Sequence, residues 1–338
     1  MDDTDRLLVT YLERGLPFVS KPFEVLGGQI GIDGAETILR ILRLKDAKVF
    51  RQLTALFDGK KLGYQSALVA MRVPESRMDH VAGIVNRHPG VVRNYSCRFD
   101  FNLWFLLALP GQDSLNEHVG WLQELTGIEQ AVIQPVVQVF KSEGGDNFLY
   151  SLALGRGRTQ LAKGLSALEI EVIRILGQDL PLVDMPYLQM ARTLGITEHD
   201  FYKMIQSLTS RGYLRRFGIF PDYWSLEQSG NYDHVIFRVP EERLDSVGQK
   251  MALIPEIFFC FRSQSCAEFP YSLHAMAAHR REGDSIMEKI QDQTGSWPGT
   301  VLVVEKNYKT MRVQFFPKEL EEWQSRKGEI GFLRNFKG

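Results

Sequence analysis

Cysteine is scarce in this chain. Cys97, Cys260 and Cys266 are three among 338 residues. An odd number with no Cys-x-x-Cys pair argues against a disulfide framework and against a thiolate zinc site. An excess of charge is lacking too. The 40 Lys and Arg stand against 41 Asp and Glu, a net charge of −1, so the chain as a whole has no field to draw it to DNA, RNA or an anionic membrane. No apolar run reaches the roughly 18 residues that a spanning helix needs. The opening MDDTDR is acidic where a secretory signal would be basic. A reducing, cytoplasmic setting is the expectation. None of the seven histidines pair at metal-ligand spacing within one half of the chain, so no structural metal site is expected.

What is present is a repeat. GLPFVSKPFEVLGGQIGI, from Gly15, matches DLPLVDMPYLQMARTLGI, from Asp179, with Pro17, Pro22 and Gly31 each 164 positions before Pro181, Pro186 and Gly195. LVAMRVPESRMDHVAGIVNRHPGVV matches HVIFRVPEERLDSVGQKMALIPEIF, with Pro74 and Pro89 at a separation of 166 from Pro240 and Pro255. Phe140-Lys141 matches Tyr308-Lys309 at 168. A spacing that drifts by only a few residues is what small loop insertions leave behind after a duplication.

Each half opens on helical periodicity and then changes. In the second, LSALEIEVIRILG, PYLQMARTLGI and FYKMIQSLTSRGYL read as helices, with Thr197 as an N-cap and Asp200 in capping-box position. The strand RRFGIF follows, which completes a winged helix-turn-helix pattern. In the first half SALVAMRVP, VVRNYSCRF, NLWFLLALP and AVIQPVVQVFK read as strands, with helices over ESRMDHVAGIVNRHP and LNEHVGWLQELTG. The order βαββαβ is ferredoxin-like. The fold class is therefore α+β, a tandem duplication of winged helix-turn-helix plus ferredoxin-like module. The expected boundaries are 1–60 and 61–141 for the first half, 142–165 for a Gly- and Ser-containing linker, 166–224 and 225–318 for the second half, and 319–338 for a C-terminal helix and tail. The architecture resembles that of Lrp/AsnC regulators. Their ferredoxin-like modules pair between subunits, and here the two halves are expected to pair within one chain.

Several strings narrow the resemblance: LFDGKKLGYQSALVAMRVP, HPGVVRNY, FNLWF, RRFGIFPD, FPYSLHAM and EKNYKTMRVQFF. In this order, over residues 5–317, the chain is similar to the siroheme decarboxylase family in a fused, two-half form. The resemblance implies an enzyme, a carboxy-lyase of haem or nitrite-reductase haem biosynthesis. It removes carbon dioxide from two acetate side chains of siroheme and needs no added cofactor. Such chemistry calls for a desolvated carboxylate, the macrocycle as electron sink, and an acid to protonate the carbon. The remaining carboxylates call for Arg or Lys clamps.

The resemblance places Tyr95, Arg98 and Arg93 as the catalytic set. Substrate contacts fall to Lys141, Asn102, Trp104, Arg262, Tyr271, Lys309 and Arg312, with Lys141 and Lys309 favoured because both halves keep them. His279 or His274 is implied as an axial ligand to the substrate iron. The sequence departs from the family at Arg93, where His is common, at Cys97, where Arg is common, and at Phe261, where a tyrosine is lost. The departures in the second half favour a single competent site built mainly on the first half's strand. Two other readings remain open at this point. One is a tetrapyrrole-responsive Lrp/AsnC-type transcription regulator, for which Lys203, Gln206, Arg211, Arg40 and Arg43 would have to face DNA. The other is a non-catalytic tetrapyrrole-binding homologue. Beyond the pairing of halves, a homodimer is the partner to test.

Overall fold

The computed structural model describes residues 1–142, 164–219, 232–278 and 285–325. The core of the expected linker, His279 and the tail beyond Ser325 lie outside them. The chain divides into two compact units, residues 1–62, 162–222 and 314–316 in one and 63–161, 223–313 and 317–338 in the other. Each unit takes one module from each half, so like associates with like.

The first unit holds α1 (Asp3–Arg14), α2 (Pro22–Ile30), α3 (Gly34–Asp46) and β1 (Leu53–Phe57), then α6 (Ala167–Leu176), α7 (Pro186–Thr193), α8 (Glu198–Ser210) and β6 (Leu214–Ile219). The repeated residues have physical duties. Pro22 and Pro186 open α2 and α7 at the first turn, where a missing N–H costs nothing. Gly31 and Gly195 follow those helices at φ +80° and +68°, a left-handed conformation that glycine adopts without a Cβ clash. Thr197 does cap α8 by accepting from Asp200 N at 3.1 Å. Its hydroxyl, however, donates to the Asp200 carboxylate at 2.7 Å, rather than that carboxylate reaching back to the main chain. The wing is also not complete within one half. β1 pairs antiparallel with β6, from Leu53 opposite Ile219 to Phe57 opposite Leu214.

The second unit is a closed barrel. β2 (Tyr64–Met71), α4 (Met78–Arg87), β3 (Val91–Arg98), β4 (Leu103–Pro110), α5 (Leu115–Thr126) and β5 (Ala131–Ser142) form the first βαββαβ module. β7 (Tyr232–Phe237), α9 (Leu244–Ala252), β8 (Ile257–Ser263), β9 (Leu273–Ala278), α10 (Ile286–Thr294) and β10 (Gly299–Thr310) form the second. The strand order is β10-β3-β4-β2-β5-β8-β9-β7, and β7 returns to β10. The halves thus join edge to edge at two seams, β5 with β8 and β10 with β3, rather than stacking face to face. Closure leaves these strands no unpaired edge.

Period-two alternation sorts the strand residues into two sets. One set packs under the helices, as Val69, Phe105 and Leu107 do in the first half and Val235, Phe237 and Ala275 in the second. The other set meets in the barrel interior, where Leu68, Tyr95, Trp104, Val132 and Val136 of the first half pack with Ile236, Phe259, Phe261, Met276 and Leu302 of the second. A final helix, α11 (Lys318–Ser325), sends Leu320 into the first half's helix-side core.

Candidate functional site

Among the described residues the barrel interior is largely apolar, and it holds one connected row of buried polar side chains. Tyr95 Oη lies 3.4 Å from His234 Nδ1, His234 Nε2 lies 3.2 Å from His274 Nδ1, and His274 Nε2 lies 2.9 Å from Ser263 Oγ. Ser263 Oγ donates to Gln134 Oε1 at 2.7 Å. That last bond sets the sense of the row. The serine has one hydrogen and spends it on Gln134, so its oxygen accepts from His274 Nε2–H. His274 Nδ1 then accepts from His234 Nε2–H, and His234 Nδ1 is left as the acceptor facing Tyr95. Burial holds both imidazoles neutral: it pushes His234 down to about 3 and His274 well below the usual histidine range, with His234 beside it adding to the effect.

The duplication shows that this row is not demanded by the fold. Leu68 opposes Leu106 and Gln134, as His234 opposes Met276 and Leu302. Tyr95 opposes Trp104 as Phe261 opposes His274. The equivalents of Tyr95, His234, His274 and Gln134 are therefore Phe261, Leu68, Trp104 and Leu302, which pack as ordinary core. One polar row exists where two-fold repetition would allow two.

Three of the expected residues come together here. Tyr95 and Trp104 face each other across β3 and β4, with Trp104 Nε1 donating to Phe101 O at 2.6 Å and its ring edge-on to His234 at 5.9 Å. His274 stacks on Phe261 at 4.6 Å; both its ring nitrogens are already engaged within the row. Arg93 opposes Leu106 and shares the inward face of β3 with Tyr95. It is the one fully buried cationic residue among those described. Tyr271 packs with Phe99 and Phe269 where the interior cluster becomes half-exposed.

The other expected residues are not part of this row. Arg98 is exposed and paired with Glu305 at 2.7 Å. Arg262 points to the helix side, where Glu241 lies at 2.5 Å and Asp245 at 3.4 Å. Asn102 bonds both main-chain groups of Val73 at 2.8 Å and so pins a turn. Arg312 lies two residues past β10. Lys141 and Lys309, the favoured clamps, do not face the interior. Lys141 Nζ donates to Ile254 O at 3.0 Å, just past α9. Lys309 Nζ donates to Asn86 O at 2.7 Å and His88 O at 3.3 Å at the end of α4. Both halves keep this lysine because each final strand satisfies the last carbonyls of the other half's helix. The row draws on both halves, Tyr95 and Gln134 from the first and His234, Ser263 and His274 from the second.

Burial lowers Lys309 to about 8. Between pH 8 and its unfolded value near 10.4 the unfolded chain binds more protons, so the Lys309 contribution to stability rises with pH in that window. Lys309→Met is expected to destabilise the fold by about 1–3 kcal/mol, since it strips two helix-end carbonyls of their donor, while turnover per folded molecule stays the same. Urea unfolding with a parallel rate measurement checks this. A loss of substrate affinity at unchanged stability would return Lys309 to the clamps.

His234, Ser263 and Gln134 were missed by sequence reasoning, though a signal existed. Each is a polar residue on the apolar face of an alternating strand, and two of them align with leucines in the duplicate. Cys97 is inward and buried; burial, with Glu305 adding, pushes its thiol up to about 12. It is an inert thiol.

Two of the helix-turn-helix cations expected to face DNA are held by carboxylates within the fold, while Arg43, Lys203 and Gln206 are exposed. Arg40 is tied to Asp2, Asp5 and Glu36 at 2.7–2.8 Å, and Arg211 to Glu169 at 2.6 Å. Leu39 and Leu42 of α3 are half-exposed beside Arg43. Among the described residues no helix is long and apolar enough to cross a membrane.

Comparison with known proteins agrees with this division. Residues 61–141 and 234–309 match the family described as AsnC-like ligand binding domain, and residues 5–51 and 169–215 match the siroheme decarboxylase NirDL-like HTH domain. The chain is 27% identical over 337 residues to the siroheme decarboxylase of Hydrogenobacter thermophilus, covering 95% of this chain and 97% of that one. It is 38% identical over 128 residues to the siroheme decarboxylase alpha subunit of Nitratidesulfovibrio vulgaris, covering 38% of this chain and 73% of the relative. The crystal structure of the siroheme decarboxylase NirDL in co-complex with an iron-uroporphyrin III analogue superposes with a TM-score of 0.76 at 25% identity, over 96% of this chain and 98% of that one.

Proposed function

This chain belongs to the siroheme decarboxylase family, and we infer from that membership and from the polar row of the barrel that it decarboxylates siroheme within the barrel. The single supporting observation is the row itself, an asymmetric set of buried polar groups that the duplicated fold does not need. The reaction breaks the bond between an acetate methylene and its carboxylate, releases carbon dioxide, and delivers one proton to the methylene to leave a methyl group. There is no net oxidation, so no further cofactor enters; the macrocycle takes up the electron pair while the carbon awaits its proton.

The chain's residues supply the surroundings. Phe99, Phe269 and Tyr271 give a flat ring an aromatic wall at the half-exposed edge of the interior. Arg93 offers a carboxylate a desolvated guanidinium, where a charge-assisted bond is strongest. The apolar interior disfavours the charged carboxylate before reaction more than it does neutral carbon dioxide after it. Tyr95 is the proton donor. Its contact to His234 is long at 3.4 Å, so the hydroxyl turns to the reacting carbon at small cost, and solvent restores its proton between turnovers. His234, held neutral with Nδ1 as acceptor, keeps the phenol in place.

Anaerobic incubation with siroheme and mass analysis of the tetrapyrrole is the test. Loss of the mass of two carbon dioxide molecules is expected. Siroheme that binds, shown by its absorption spectrum, and returns unchanged would leave a tetrapyrrole-binding homologue as the reading.

A further inference from the structure

Gln134 is fully buried in the barrel interior, opposite Leu68 on β2. Its Oε1 is taken by Ser263 Oγ at 2.7 Å. Its Nε2 has no hydrogen-bond partner in the structure. A buried amide N–H left without an acceptor is costly, and native interiors rarely keep one without a reason. The fold supplies no reason. At the equivalent place on the equivalent strand stands Leu302, opposite His234 as Gln134 is opposite Leu68, and Leu302 packs in the same cluster with no polar demand. Packing would be served by leucine in both halves.

Ser263 decides which end of the amide is offered. It holds the oxygen, so the nitrogen is the end presented to the interior, and the amide is prevented from turning by the same bond that aligns His274. What such a fixed donor recognises is an acceptor oxygen. The interior has few to give, because His234, His274 and Ser263 spend theirs within the row. An anionic oxygen brought by a ligand is the matching partner, and an amide donor meets a carboxylate without adding a charge of its own.

We propose that Gln134 is a substrate-binding residue whose Nε2–H receives a carboxylate oxygen of the acetate group about to be lost. This rests on the decarboxylase reading above. Ser263 is then a positioning residue, acting through Gln134 and His274.

The test is an anaerobic absorbance titration of the whole chain with two tetrapyrroles, siroheme and its doubly decarboxylated product. For Gln134→Met the dissociation constant for siroheme is expected to rise about tenfold or more, the scale of one hydrogen bond to a charged group. That for the product, in which the two reacting acetates have become methyl groups, should change by less than about twofold. Ser263→Ala keeps Gln134 but frees its amide, and a smaller loss confined to siroheme is expected; it stands in if Gln134→Met does not fold. Equal weakening of both ligands, or no change in either, overturns the proposal. The decarboxylase reading fails separately, if the unaltered chain binds neither tetrapyrrole.

Discussion

Replacing Tyr95 by Phe should lower the turnover of siroheme by about 10²- to 10³-fold, the range that a positioned general acid contributes. Substrate affinity should change by no more than about threefold. Phenylalanine preserves the ring that packs across Trp104, and Phe261 shows that a phenyl ring is accepted at the equivalent place in this barrel. The fold should therefore survive, and thermal unfolding of the variant checks that it does. The loss should fall on both decarboxylations. With one polar row, both acetates must be presented in turn to the same hydroxyl, so no fast first step should remain. Single-turnover sampling with mass detection separates the cases. A variant that still removes one carbon dioxide at the normal rate would mean a second acid elsewhere; one within about threefold of the unaltered rate would mean that Tyr95 is not the acid.

The second large effect is on stability in mild acid. His234 and His274 are neutral in the interior, and His88 is neutral outside it. His88 Nε2 lies 2.8 Å from His118 Nδ1, and the ring of Trp323 on α11 packs at 5.0 Å. Burial pushes His88 well below the usual range, with His118 and Lys309 adding to the effect. All three shifts are downward, while the unfolded chain titrates near 6.5. Below that pH the unfolded chain binds more protons, so stability falls as pH falls. Each group contributes about 1.4 kcal/mol per pH unit, roughly 4 kcal/mol per unit for three. Against a domain stability of about 5–15 kcal/mol this should unfold the barrel between about pH 5 and 4. Urea unfolding at pH 7, 6 and 5 measures the slope above the range where Asp58, Asp79 and Glu169, whose carboxyls are held low by ion pairs and hydrogen bonds, begin to matter. The burial that raises Asp113 acts in the opposite sense, by one proton at most. His234→Leu, the residue its duplicate carries, should remove about one third of the slope. A slope below one proton in the unaltered chain would mean that these imidazoles are charged in the fold.

The fold was legible because its signals are repeated. Pro22 and Pro186, Gly31 and Gly195, and the alternating strands each state the same local requirement twice. The site was legible only where a residue type is unusual for its place. Tyr95 and Trp104 stood out through family resemblance, and both face the interior. Lys141 and Lys309 misled because repetition in both halves marks what the scaffold needs, and helix-end carbonyls need a donor in each half. His234 and Gln134 mark the opposite case. Where the duplicates differ, with a polar residue against a leucine, the scaffold's demand is subtracted and function is what remains. Closure of the barrel was not legible, because a strand's two edges look the same in sequence whether they meet their own half or the other.

That closure has a consequence for the order of synthesis. The first half leaves the ribosome as a four-stranded sheet, β3-β4-β2-β5, with both edge strands unpaired. One edge waits for β8. The other waits for β10, whose residues Val303 to Thr310 pair with Arg98 to Arg93, some two hundred positions earlier. Contacts so distant in sequence form late and slowly, and open edges invite pairing with the wrong chain meanwhile. A nascent chain of this kind is most exposed to aggregation just before its last strand is made, and truncation inside β10 should be far more harmful than loss of the tail after it.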